Sequence, residues 1–175
     1  MNHNRNIVFL DVDGVLNSMA YFENQKLTPK KEAFSELSDF HLQMLSQIVH
    51  SCDALIVLTS TWRDLQGSRC QKAEKMYQYL IDSLKKYDMS VFDKVSYIRN
   101  NRPLEIVTWL EDQPDRDSIH FVSLDDDFSK EEYEVYGIAD HLVQTRFFCS
   151  DLSEGGLQQS HVNQAIAILK EGDWL

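Results

Sequence analysis

The sequence predicts a single α/β domain of three layers, with helices covering both faces of a central parallel sheet. Three observations carry that expectation. Ile7-Val-Phe-Leu10 and Ala54-Leu-Ile-Val-Leu58 are apolar runs without alternation, the pattern of strands buried on both faces. Both stop abruptly at acids or hydroxyls, as does a third strand-like run, Ile119-His-Phe-Val-Ser-Leu124. Between them lie stretches whose apolar residues recur at helical spacing, and strand, helix, strand in that order is a parallel crossover. The expected class is therefore Rossmann-like, in which ligands bind beyond the carboxyl ends of the strands.

At 175 residues, 43% of them apolar, the chain has the length of one ordinary domain, 1–175, with enough apolar residues for a substantial core. Its formal charge of −11 repels polyphosphates, so tight non-specific DNA binding is not expected. Cys52, Cys70 and Cys149 are odd in number, widely spaced and without a paired metal-ligand pattern, which points to reduced thiols. The N-terminal apolar run is short, interrupted by acids and lacks a small-residue cleavage site. Nothing elsewhere approaches a membrane span, so a cytoplasmic protein is expected. Oligomeric state is not legible.

After the polar residues Met1 to Asn6, expected to fray, the first strand runs into Asp11-Val-Asp-Gly-Val-Leu-Asn17. Two residues apart in an extended segment, Asp11 and Asp13 point to the same side, and Gly14 turns the chain away. Like charges held so close repel unless a cation or proton lies between them. Oxygen ligands without neighbouring His or Cys favour Mg²⁺ over zinc. This heptapeptide resembles the first motif of the haloacid dehalogenase (HAD) superfamily of phosphatases. The resemblance implies that Asp11 attacks phosphorus and that Asp13 is the general acid/base.

Residues 18–39 are mixed in character, with Tyr21, Phe22 and Phe34, a turn signal at Thr28-Pro29 and the charge cluster Lys30-Lys31-Glu32. They read as a short flap beside the site. Many HAD relatives insert a whole cap domain here, and about twenty residues cannot form one. Phe40, Leu42, Leu45, Ile48 and Val49 then predict an amphipathic helix over 39–52, with Ser38 or Asp39 as its cap.

The second strand ends in Thr59-Ser-Thr-Trp-Arg63. In the resembled family a hydroxyl here donates to a phosphoryl oxygen, which points to Thr59, with Ser60 as the fallback. A neutral hydroxyl suits that task because it stabilises an oxyanion without quenching the nucleophile. Ser60 and Thr61 equally suit a helix cap. Arg63 could clamp a phosphate bidentately, and Trp62 either packs or stacks on a base.

Ala73, Met76, Tyr77, Leu80, Ile81 and Leu84 mark a long helix within 68–87, with Lys85 and Lys86 near its negative end. Residues 88–101 read as loop with one short strand at most. The segment from Arg102 to Leu110 reads as a helix with Pro103 in its first turn. The resemblance implies a cation at this helix start, shielding the nucleophile and phosphate. Arg102 matches by position, and Lys94 and Arg99 compete.

The third strand ends in Asp125, Asp126 and Asp127. The resemblance implies that Asp125 and Asp126 complete a Mg²⁺ site with Asp11 and the backbone carbonyl of Asp13, whereas Asp127 reads as exposed. His120, within this strand, reads as a satisfied buried residue. Residues 139–144 suggest a last strand. Gly155-Gly156-Leu157 then opens a closing helix with Leu157, Val162, Ala165, Ile166 and Leu169 on its apolar side. This ending, with the Thr-Ser-Thr-Trp-Arg and Glu-Ile-x-x-Trp-Leu strings, is similar to a HAD subgroup of bacterial and phage composite RNA-repair proteins.

The expected activity is Mg²⁺-dependent hydrolysis of phosphomonoesters through an aspartyl-phosphate, on nucleic-acid ends, nucleotides or other small phosphomonoesters. Two alternatives stand beside it: a non-catalytic phosphate-binding module, which the retention of both Asp11 and Asp13 disfavours, and a phosphotransferase with the same chemistry.

Overall fold

Five short strands, all parallel, form one sheet in the order β3-β2-β1-β4-β5. They are β1 (Arg5–Leu10), β2 (Leu55–Leu58), β3 (Val91–Lys94), β4 (Ile119–Asp125) and β5 (Leu142–Gln144). The computed structural model describes residues 5–27 and 33–170. Thr28-Pro29 and Lys30-Lys31-Glu32, read above as a turn and a charge cluster, lie outside them, as do residues 1–4 of the segment expected to fray.

The unalternating runs are explained by cover on both faces. Val8, Leu10, Ile56, Leu58, Val122 and Leu124 face one core. There they meet α2 (Asp39–Cys52), α3 (Gln71–Lys85) and α6 (Gln159–Lys170). Ile7, Phe9, Val57 and Phe121 face the other, beneath α4 (Arg102–Glu111) and Tyr133 of the short α5 (Lys130–Glu134). Successive residues of one strand therefore point into different cores, and both must be apolar. Phe9 is fully buried and packs edge-to-face on Trp109 and Phe121, with centroids 5.4 and 5.7 Å away.

The flap begins with a helix, α1 (Met19–Gln25), capped by the Ser18 hydroxyl, which accepts from the Tyr21 amide. In α2, Leu42, Leu45, Ile48 and Val49 are buried as expected, and Phe40 alone departs from the stripe. Phe40 is 47% exposed, while His41 and Met44 are buried, His41 with its Nδ1 3.0 Å from the Leu157 carbonyl. Ser38 stands at the cap position, but its side chain makes no capping bond. The chain at 88–101 does contain a strand, β3, at the sheet edge, with three of its four residues exposed.

Three further boundaries shift. The third strand ends at Asp125, and residues 139–141 form a 3₁₀ turn ahead of β5. The closing helix starts at Gln159 rather than at Gly155, because Gly156 is left-handed (φ +64°) and lies against His41. A Cβ there would come within 2.5 Å of the His41 ring. His120 is half-buried, its Nδ1 3.2 Å from the Leu169 carbonyl. The three cysteines are free thiols, and no described helix is long and apolar enough to cross a membrane.

Phe9→Ala is expected to cost about 3–5 kcal/mol in urea unfolding. Phe40→Ala, on the exposed side of α2, should stay within about 0.5 kcal/mol.

Candidate active site

One register row of the sheet assembles the site. Leu58, Leu10 and Leu124 are paired across β2, β1 and β4. The next residue on each strand is Thr59, Asp11 and Asp125. The ladder continues through this row, since the Thr59 amide donates to the Leu10 carbonyl (2.9 Å) and the Asp11 amide to the Leu124 carbonyl (3.0 Å). Neighbouring strands lie about 4.8 Å apart, so the two carboxylates and the hydroxyl are forced together at the carboxyl edge. The chain passes from β1 to β2 on one side and later to β4 on the other, which makes this the topological switch point of the sheet.

Asp126 joins the cluster from the turn after β4: ligand oxygens of Asp11, Asp125 and Asp126 lie within 4.8 Å of one another. Gly14 makes room for it. Its φ of +77° suits glycine, and a Cβ there would stand 2.0 Å from the Asp126 carboxyl carbon. The same turn is closed by Asn17, whose side-chain oxygen accepts from the Gly14 amide at 2.9 Å.

The Asp13 side chain does not face that trio. Asn17 Nδ2 donates to one of its oxygens at 2.8 Å and Trp62 Nε1 to the other at 2.9 Å. Trp62 is buried, so of its two sequence readings packing holds, and its indole N–H has a further task that sequence alone did not suggest. A buried indole needs an acceptor, and Asp13 provides one.

Among the three cations considered for the helix start, Arg102 is the one brought to the carboxylates. Its Nη1 donates to Asp125 Oδ2 at 2.6 Å and to Thr59 Oγ1 at 3.1 Å, and lies 3.7 Å from Asp11 Oδ1. The Asn101 side chain caps α4, with Pro103 in the first turn, and so fixes where this guanidinium emerges. Lys94 instead reaches Gln66 and the Arg63 carbonyl, and Arg99 is exposed.

Two of the expected site residues are engaged away from the cleft. Arg63 is 4% exposed and forms a two-pronged ion pair with Glu105 at 3.2 and 3.3 Å, and it also donates to the Thr59 carbonyl. It is a buried tie between β2 and α4 rather than a phosphate clamp. Thr59 is fully buried, and its hydroxyl accepts from Arg102, while Ser60, the fallback, lines the cleft together with Asp11. The signal for Glu105 was an acid within the apolar run of α4, three residues after Arg102. It also accepts from the Ile98 amide at 2.8 Å.

Burial raises the Asp11 carboxyl above its ordinary range, against the pull of Arg102. Burial likewise raises Asp125, which Arg102 opposes. Asp126 is pushed up to about 7, by burial first and then by Asp11 and Asp127. Arg102 is raised despite burial, because Asp125 and Asp11 hold its proton. One guanidinium thus faces the carboxylates of Asp11, Asp125 and Asp126, an excess of negative charge on hard oxygen ligands. That donor set fits Mg²⁺.

A family model described as the HAD domain in Swiss Army Knife RNA repair proteins matches residues 7–161. No curated protein and no solved structure matches the chain.

Two outcomes are expected. The folded Asp126 carboxyl binds a proton more tightly than in the unfolded chain, so its contribution to stability is present below pH about 4 and lost as pH rises through about 7. In EDTA, thermal melts should therefore fall over that window. Mg²⁺ should restore more at pH 8 than at pH 5, and Asp126→Asn should flatten the slope. Gly14→Ala should weaken Mg²⁺ affinity about 10–100-fold by calorimetry, because the alanine methyl displaces Asp126.

Proposed function

The chain belongs to the family of HAD domains found in Swiss Army Knife RNA repair proteins, and from that premise we propose that it is a Mg²⁺-dependent phosphohydrolase of phosphomonoesters, working through an aspartyl-phosphate. The observation that carries the reading is the convergence of Asp11, Asp125 and Asp126 beside Arg102, with Asp13 held apart from them by Trp62 and Asn17. Two carboxylates on one turn thereby receive different surroundings, as distinct roles in one reaction require.

The Asp11 carboxylate attacks phosphorus and expels the leaving oxygen, which takes a proton from Asp13. Asp13 then accepts a proton from the water that opens the phosphoryl-enzyme and regenerates Asp11. The donors from Trp62 and Asn17 fix the direction of the Asp13 side chain through both steps. Asp11, Asp125, Asp126 and the Asp13 backbone carbonyl would hold Mg²⁺, which when bound would offset the charge of the transferring group. The Ser60 hydroxyl donates to a phosphoryl oxygen, and Arg102 keeps the Asp11 and Asp125 side chains in place.

The substrate is a phosphorylated nucleic-acid end or nucleotide, a reading supported by the RNA-repair description of the family and by a flap segment of about twenty residues, too few for a cap domain.

The test is phosphate release with Mg²⁺ from 5′- and 3′-phosphorylated oligonucleotides, mononucleotides, phosphopeptides and sugar phosphates. Asp11→Asn should abolish release, Asp13→Asn should slow it about 10²–10⁴-fold, and Trp62→Phe should lower kcat more than it raises KM. Release that persists in Asp11→Asn would sink the mechanism. Silence of the folded, Mg²⁺-bound protein across the panel would favour a binding module.

A further inference from the structure

Two clefts meet above the reaction centre. One, of about 320 Å³, is lined by Asp11, Ser60 and Arg102 and also by Phe22, Phe147 and Phe148. The other, of about 690 Å³, continues past Phe147 and Phe148 to Arg146, Ser160 and His161. The two phenylalanines therefore stand on the ridge that both clefts share. Phe148 is 75% exposed. Phe147 backs it, 5.1 Å away with the rings at 88°, and Phe22 of the flap helix lies 6.3 Å from Phe147. The Met19 amide donates to the Phe147 carbonyl at 2.9 Å and ties the start of that helix to the ridge. Trp62, a further aromatic residue next to the chemistry, is buried and committed to Asp13.

Charge does not supply affinity here. Arg102 is engaged by Asp125 and Asp11, and Arg146 faces Glu154 at 3.4 Å. Asp13, Asp126 and Asp127 line the same space. A substrate held by its backbone phosphates would be repelled, whereas a planar base on an exposed ring would not.

On the phosphohydrolase reading above, we propose that Phe148, backed by Phe147, is the stacking platform for the base of the nucleotide that carries the scissile phosphate, with the larger cleft taking the adjoining residue of a single strand. The substrate is then recognised by a flat base next to the phosphate and by little of the chain beyond it. The favoured occupant is a nucleotide end rather than a phosphotyrosine peptide, because the platform opens onto a second cleft with Ser160 and His161 as hydrogen-bonding groups for a further nucleotide.

The probes are a phosphorylated oligoribonucleotide, 5′- or 3′-ended as the panel prefers, and its counterpart with the terminal base removed. In the unmodified protein, base removal should lower kcat/KM about tenfold or more, mainly through KM. Phe148→Ala should erase that ratio and Phe148→Trp should keep it. Raising salt from 50 to 200 mM should change kcat/KM about threefold or less, as for one contacted phosphate. A base-dependence that survives in Phe148→Ala overturns the proposal, and so does Phe148-dependent turnover of a phosphotyrosine peptide as fast as of the oligonucleotide. Anisotropy binding of both probes to Asp11→Asn separates the two readings. Base-dependent binding without turnover in the parent protein removes the phosphohydrolase and keeps the platform. Turnover that needs Asp11 but ignores the base does the reverse.

Discussion

The Arg102 guanidinium, 2.6 Å from Asp125 and 3.7 Å from Asp11, allows two buried carboxylates to sit on neighbouring strand ends. Without a cation, carboxylates at that spacing in a buried site would take up protons or push the strands apart. Arg102 is itself held in place by the Asn101 cap, by Glu105 at 3.7 Å and by the Phe128 ring 5.5 Å away. Glu105 in turn binds Arg63 on the turn after β2 and the Ile98 amide before α4. A buried network of this kind needs every partner, because losing one leaves an uncompensated charge. The arginine that resembled a phosphate clamp belongs to this support.

The network also explains why the site tolerates so much acid. Arg102 balances part of the charge of Asp11 and Asp125, Asp126 remains raised toward neutrality, and the Asp13 carboxylate is directed elsewhere by two neutral donors. What is left is a surplus of oxygen ligands at one place and a positioned carboxyl beside it. The same acidic surroundings weigh against recognition of a long phosphate backbone and favour contacts with flat, uncharged groups.

Much of the architecture was legible because burial on both faces leaves a plain mark. Ile7 to Leu10 had to be apolar at each position, and a strand of that kind fits only the middle of a covered parallel sheet. Errors fell where the mark is weak. Phe40 matched the helical spacing of α2 yet faces outward, because His41 is satisfied by the Leu157 carbonyl and takes the inner place. The edge strand β3, by contrast, fits the single short strand allowed for 88–101, although three of its four residues are exposed.

In the site, the sequence by itself determined which strands end in acids and hydroxyls, and hence that Asp11, Asp13, Asp125 and Asp126 stand at the carboxyl edge of the sheet. These are local facts, set by where an apolar run stops. The tertiary structure decided how they are shared out. Trp62 reaches Asp13 across 49 positions and Arg63 reaches Glu105 across 42. Ser60 rather than Thr59 faces the cleft, and Phe147 and Phe148 come from far along the chain to its rim. Such pairings depend on which strands are neighbours, on their register and on where a helix start points. No local pattern records them, because each is made by two segments that meet only in the folded protein.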